Sequence, residues 1–529
     1  MALKLLIPTI ADKFDPSVEK RGVYIDEWIK ALPYANPSIL ANKLLENISK
    51  LNRNPIKPAA RLALMELYVK PYQFLLELQE QHSASRTVTA FEKHRTDSDA
   101  ARRVAGELAY GYKTVLAHSI GKNSLFGKNK DVTIATQRAM LFLAFSLLHS
   151  YDEYRPTPRH LWSEMGELYE FAVRTDLVND AIDADGLRSE FAGTAAHVYK
   201  RILLTSLVDP YHLKESDIWK VFSLIGGWAD DATVGRVKQV EKPAGIFLID
   251  AKRDQRPTAY GVGATGMTED CLMLDATSVV DQLQELIKAA GANPNEHHQL
   301  SRILRSLGLP PKRHTPREST RGTAKLTSGL TALHHFLGSS DDVDTSPAGD
   351  VSLDTLSPGD GFKIGDTNSE LSLAEPTYLA ECWDIIDKGP GGIGILKNDR
   401  PLVPISVGEL IGLGFDVDDD FSTALCIGVV RWLNVVDGGK YHAGLQLLSR
   451  SAQAVLIRLD DIEPKAPAQP GLALPRVGGD KSSTLVAPKG CYSKDLLLHV
   501  DTPCATVKVK ASALVEAAES YDRFTYELA

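Results

Sequence analysis

Residues 310–322 read PPKRHTPRESTRG, four cations and a histidine within thirteen positions of a chain whose formal net charge is −9. A basic segment in an acidic protein marks a local anion site rather than a broad basic face. The segment is also a boundary. Upstream of it apolar residues recur at three- and four-residue spacing, and downstream they alternate or run in short β-branched blocks.

Working upstream, residues 1–234 read as helices. TQRAMLFLAFSLLHSY, RHLWSEMGELYEFAV and AAHVYKRILLTSLV are long, strand-poor and amphipathic or wholly apolar. Thr157-Pro158 has the form of an N-cap followed by proline at the first helical position. Trp162, Met165, Gly166 and Tyr169 match half of a tetratricopeptide helix, but no second copy follows at that period, so ordinary helix packing is expected. A helical bundle or irregular solenoid is the predicted form. Residues 235–307 then predict a small α+β connector. AGIFLIDAK and DCLMLDA are its strands; SVVDQLQELIKAAG is a helix with Ser278 and Asp281 in capping-box spacing, and HHQLSRILRSLG is a second.

Downstream, TAKLTSGLTALHHFL, PTYLAECWDII, GGIGILK, VPISVGELIGLGF, TALCIGVVRWLNVV and HAGLQLLSR read as strands separated by Gly, Pro and Asp turns. That pattern predicts a closed antiparallel β-barrel over 308–462. Residues 338–372 are acidic and rich in Ser, Gly and Pro, and predict a disordered loop. EPKAPAQPG, residues 463–471, reads as a linker into a small β-rich unit over 463–529.

Several function classes lack a pattern. Gly261, Gly263 and Gly266 fit G-x-G-x-x-G, but the strand-turn-helix context of a dinucleotide fold is missing. No G-x-S-x-G, H-E-x-x-H or Walker A sequence occurs. Asp416, Asp418, Asp419 and Asp420 lack the glycine and terminal glutamate of a calcium loop. Cys271, Cys382, Cys426, Cys491 and Cys504 show no metal-ligand spacing and predict a reducing, cytoplasmic compartment. The apolar run Ala139–Leu148 is half the length of a bilayer span. A non-enzymatic protein without a metal or membrane insertion is expected. Nucleic acid is disfavoured, because no basic stripe interleaved with aromatics is present.

Arg313-His-Thr-Pro-Arg317 has the form R-x-x-x-R, and Arg321 extends it in an overlapping copy. Farther on, DKGPGG at 387–392 sits at a strand boundary, and VGELIGL, GVVRW and AGLQLL follow. This succession resembles the PilZ domain, the bacterial receptor for cyclic di-GMP, whose signature joins R-x-x-x-R before the first barrel strand to [D/N]-x-S-x-x-G at a later strand turn. The resemblance covers roughly residues 308–460. It implies that Arg313 and Arg317 engage phosphate and guanine, with Arg321 as the alternative register. It also implies that Asp387 meets the guanine Watson–Crick edge, and that Gly392 lets the turn take a positive φ and a close backbone approach. Gly389 stands where the family has serine, and nearly seventy residues separate the two halves. Arginine's planar fork suits phosphate and the guanine O6/N7 edge, each with two parallel hydrogen bonds. The implied role is a signalling adaptor that couples cyclic di-GMP binding to a protein partner through the helical domain, in motility, pilus or surface-attachment control. The alternative is a barrel that has lost the nucleotide and serves as a docking scaffold.

Overall fold

The computed structural model describes residues 3–82, 88–119, 129–250, 253–261, 271–289, 294–308, 317–338, 378–415, 425–436, 438–459, 468–475 and 483–529. These form two compact units: residues 1–316 with 432–443, and residues 317–431 with 444–529.

The first unit begins with α1 (Gly22–Lys30), α2 (Pro37–Asn52), α3 (Pro58–His82), α4 (Val88–Ser119), α5 (Lys130–Asp152), α6 (Leu161–Arg174), α7 (Ala195–Leu207) and α8 (Asp217–Gly226). Local chemistry starts several of them. The Asn36 side chain accepts from the Ile39 N–H with Pro37 at the first helical position, and Thr194 Oγ1 accepts from the His197 N–H. α5 is apolar and long enough, by length and composition, to cross a membrane. It is buried on every side from Ala135 to Asp152, as a helix apolar all round must be. Its Phe142 and Phe145 pack edge-on and stacked against Tyr72 and Tyr112.

α6 does not start at the expected Thr157-Pro158 cap. Asp254, more than ninety positions away, takes that role: its carboxylate accepts from the backbone N–H groups of His160, Trp162 and Ser163. A charge on the first-turn amides complements the helix dipole, and no local pattern reports it.

Next come β1 (Thr233–Arg236), β2 (Ile246–Asp250), β3 (Thr258–Ala259), β4 (Cys271–Asp275), α9 (Thr277–Ala289) and α10 (Pro294–Leu307). The strands make an antiparallel sheet in the order β1-β4-β2-β3. The residues expected to form a separate connector share the helical core, through Phe247, Ile249, Leu274, Leu283, Leu300 and Ile303. α9 is started by Asp275, which accepts from the Thr277 N–H and hydroxyl, rather than by a Ser278–Asp281 box.

The second unit opens with β5 (Glu318–Ser328) and α11 (Leu330–Gly338), then β6 (Glu381–Gly389), β7 (Gly392–Lys397), β8 (Leu410–Gly414), β9 (Cys426–Val436) and β10 (Lys440–Ser449), of which residues 432–443, at the joined ends of β9 and β10, count with the first unit. These strands close as β10-β7-β6-β5-β8-β9 around Trp383, Ile385, Ile393 and Ile395. The stretch expected as one strand, TAKLTSGLTALHHFL, breaks at Gly329 (φ +90°) and continues as the helix α11.

A second closed barrel follows, built from β11 (Gln453–Leu459), β12 (Gln469–Leu474), β13 (Thr484–Pro488), β14 (Leu497–Asp501), β15 (Thr506–Ala517) and β16 (Tyr521–Leu528) in the order β11-β12-β13-β16-β15-β14. β11 belongs to this barrel although the first was expected to reach residue 462, and β12 starts inside the expected 463–471 linker. α11 buries Leu330 and Leu333 in an apolar cluster with Leu410 and Ile427 of the first barrel and Leu472 and Val486 of the second. The expected acidic loop lies almost wholly outside the described residues, as do Gly263, Gly266 and Asp416–Asp420.

Candidate functional site

The site grows from strand register. β5 and β6 run antiparallel with Glu318 opposite Lys388 and Ser319 opposite Asp387. Arg317, one step before β5, therefore arrives at the far end of β6. Its Nη1 donates to Asp387 Oδ1 at 2.8 Å, across seventy positions of chain. Both side chains are about one-third exposed.

Next to this pair the ladders are irregular. Between Ser319 and Gly322, β5 sets Thr320 and Arg321 against the single residue Ile386, and the β6–β7 ladder passes over Ile386 as well. A bulge of this kind bends the strand and re-aims neighbouring side chains. It leaves Arg321 exposed on β5, with no ion pair among the described residues.

Three glycines shape the floor. Gly389 and Gly392 face each other across the Pro390-Gly391 turn. Gly392 does not take the expected positive φ. Its need is space: a β-carbon there would meet the Leu445 carbonyl oxygen at 2.6 Å and lie 3.6 Å from Arg317 Nη2. Gly394, opposite Asp387, leaves room for that carboxylate. Close by, Lys388 holds its ammonium 5.1 Å from the centre of the Phe415 ring, a cation–π contact.

The expected site residues thus divide. Arg317 and Asp387 are bonded to each other, Gly392 is packed against Arg317, and Gly389 ends β6 on the same turn. Arg321 is in β5, at the bulge. Arg313 lies outside the described residues. Gly394, Leu445 and Lys388 were not singled out from sequence. The alternation in GGIGI, with a small residue recurring opposite the charged end of β6, was the available sign for Gly394. Among the described residues no group of His, Cys, Asp and Glu could hold a metal ion.

The arrangement presents a guanidinium and a carboxylate, each about one-third exposed, at the end of a barrel strand over a floor of glycines. Both retain hydrogen-bonding capacity beyond their mutual contact, so a planar, anionic ligand could engage either one.

Comparison with known proteins adds two findings. A family described as "Cyclic-di-GMP receptor FimW, N-terminal domain" matches residues 24–239, which span α1 through the first sheet strand. The curated protein "Cyclic-di-GMP receptor FimW" of Pseudomonas aeruginosa is 20% identical to this chain over 580 aligned positions, covering 100% of this chain and 94% of that protein. No solved structure matches the chain.

Proposed function

We propose that this chain is a non-enzymatic cyclic di-GMP receptor whose first barrel is of the PilZ type, with the nucleotide held at the Arg317–Asp387 end of β5 and β6. The observation that carries the reading is the meeting of those two side chains. They come from the two halves of one signature, and only a fold that pairs the strand after R-x-x-x-R with the strand bearing the aspartate joins them. The similarity to a cyclic di-GMP receptor along the whole chain supports the ligand class.

In this reading Arg317 and Arg313 take phosphate or the guanine O6/N7 edge, and Asp387 accepts from guanine N1–H and the exocyclic amine. Each bidentate contact contributes about 1–3 kcal/mol of discrimination. The Arg317–Asp387 pair is no obstacle, since partly exposed ion pairs are worth about 0–1 kcal/mol. Gly389 offers no hydroxyl to a phosphate, a loss of about 1 kcal/mol. Arg321 serves if the overlapping register is the one used. The helical unit, over which the receptor-domain family matches, would carry the protein partner, in motility, pilus or surface-attachment control. Five unbridged cysteines support a cytoplasmic setting.

Calorimetry with cyclic di-GMP on the full chain, alongside Arg317→Ala and Asp387→Ala, tests the reading. Binding by the wild type that weakens at least tenfold in each variant is expected. Equal heats in all three would reject the site. No heat in the wild type would favour the docking-scaffold reading, for which the missing Gly389 hydroxyl speaks.

A further inference from the structure

The nucleotide site is joined to the second barrel by an unbroken chain of contacts. Gly391 and Gly392 form its turn; the Gly391 carbonyl accepts from the Leu447 N–H of β10 at 3.2 Å, and Gly392 sits against the Leu445 carbonyl. Between those two β10 residues lies Gln446, whose Oε1 accepts from Arg431 Nε at 2.7 Å. Arg431 Nη1 then donates to Glu516 Oε1 on β15, also at 2.7 Å. A guanidinium that spends two N–H groups on two different strands fixes their spacing, because the fork is planar and rigid.

The receiving strand is irregular. β15 pairs with β16 through Ala511–Tyr526, Leu514–Phe524 and Glu516–Arg523, so it carries one extra residue in each of two successive intervals. Within the first, the Ala513 N–H leaves the ladder and donates to the Thr525 hydroxyl at 3.1 Å. Two bulges this close interrupt the β15–β16 ladder, bend the stretch ending at Glu516 and increase its local twist. Leu514 and Val515, beside Glu516, are exposed.

We propose that Arg431 relays occupancy of the first barrel's site to β15 of the second barrel, a regulatory link that rests on the nucleotide reading above. A nucleotide drawing on Arg317 and the 389–392 turn shifts β10 at Leu445–Leu447. Gln446 carries the shift to Arg431, and Glu516 follows it by changing the bulge pattern of β15. The second barrel is then the output of the first.

Amide hydrogen exchange on the full chain, with and without cyclic di-GMP, tests this in the wild type, Glu516→Leu and Gln446→Leu. In the wild type the nucleotide changes exchange across 506–517 by about fivefold or more, the lower range of allosteric coupling. Each variant, checked for cooperative melting, keeps nucleotide binding by calorimetry and loses that change. Either break suffices, so one unfolded variant leaves the other to decide. Nucleotide binding without any change at 506–517 in the wild type overturns the relay and spares the receptor reading. Retention of the change in a folded variant also overturns the relay. Absence of nucleotide binding in the wild type overturns both.

Discussion

Asp387 lies over Gly394 so closely that a β-carbon on the glycine would meet its Oδ1 at 2.7 Å and its Cγ at 2.9 Å. The clashing atoms are the end of a partly exposed side chain, so Gly394→Ala displaces the carboxylate rather than the strand. Alanine also removes the backbone entropy penalty of a strand glycine, about 0.5–1 kcal/mol. Stability should therefore stay within about 1 kcal/mol of wild type, while cyclic di-GMP affinity falls about tenfold, one displaced hydrogen-bonding group's worth. Melting and calorimetry on the same preparation check the split. Undiminished affinity would mean that Asp387 does not touch the ligand.

Arg317 and Asp387 give a sharper separation. Because the pair is partly exposed, Arg317→Ala or Asp387→Ala should change unfolding free energy by no more than about 1 kcal/mol. Ligand affinity should drop about ten- to hundredfold, the worth of one bidentate contact. The charge swap, Arg317→Asp with Asp387→Arg, should restore the ion pair and its small stability term but not the binding. A swap that binds normally would show that the pair matters only as a strut.

What the sequence disclosed follows from the range of the physics involved. Strands such as β7, β9 and β10 announce themselves by β-branched alternation between Gly and Pro punctuation, and Arg317 and Asp387 stand out as charged ends of R-x-x-x-R and DKGPGG, which the structure brings together across the long insertion. α11 was hidden. LTALHHFL buries Leu330, Ala332 and Leu333 against two barrels and exposes only Thr331 and His335, too few polar positions over two turns to separate a helix from an apolar strand of that length. The Asp254 cap of α6, the twin bulges of β15 and the Gln446–Arg431–Glu516 chain are contacts between distant segments, which no local pattern records. The first barrel's end was misplaced because β11 and β12 follow with the same alternation and only closure assigns them.

Glu153, at the end of α5, predicts a pH dependence in the helical unit. Burial raises its pKa from 4.5 to about 7, with Asp99 adding to the rise and Arg155 and Arg102 opposing it. In the folded state it therefore holds a proton that the unfolded chain, with an ordinary carboxyl, releases. Folding is favoured by this group below about pH 4.5, and that contribution fades as pH rises to about 7, where ionising a buried carboxyl has removed about 3 kcal/mol. Glu153→Gln should flatten the stability profile over this window and be the more stable protein at pH 8. Urea unfolding at pH 5, 6.5 and 8 measures it; parallel profiles for the two proteins would contradict the assignment.

The largest single-residue effect is expected at Lys113. Its ammonium donates to both oxygens of Glu164 at 2.8 and 2.9 Å, with the two side chains only 1% and 6% exposed. Glu164 also accepts from the Leu6 N–H at 2.7 Å, tying the chain before α1 to α6. Removing one charge leaves the other buried and unmatched, which costs about 3–5 kcal/mol, whereas replacing both with apolar groups of similar volume is often near neutral. Lys113→Met should thus destabilise by that amount, and Lys113→Met with Glu164→Leu should recover most of it. The double variant has no acceptor for Leu6, so its N-terminal residues should become the first site of limited proteolysis. Chemical denaturation and timed proteolysis read the two effects separately, and a double variant as unstable as the single would show that Glu164 serves chiefly to hold Leu6.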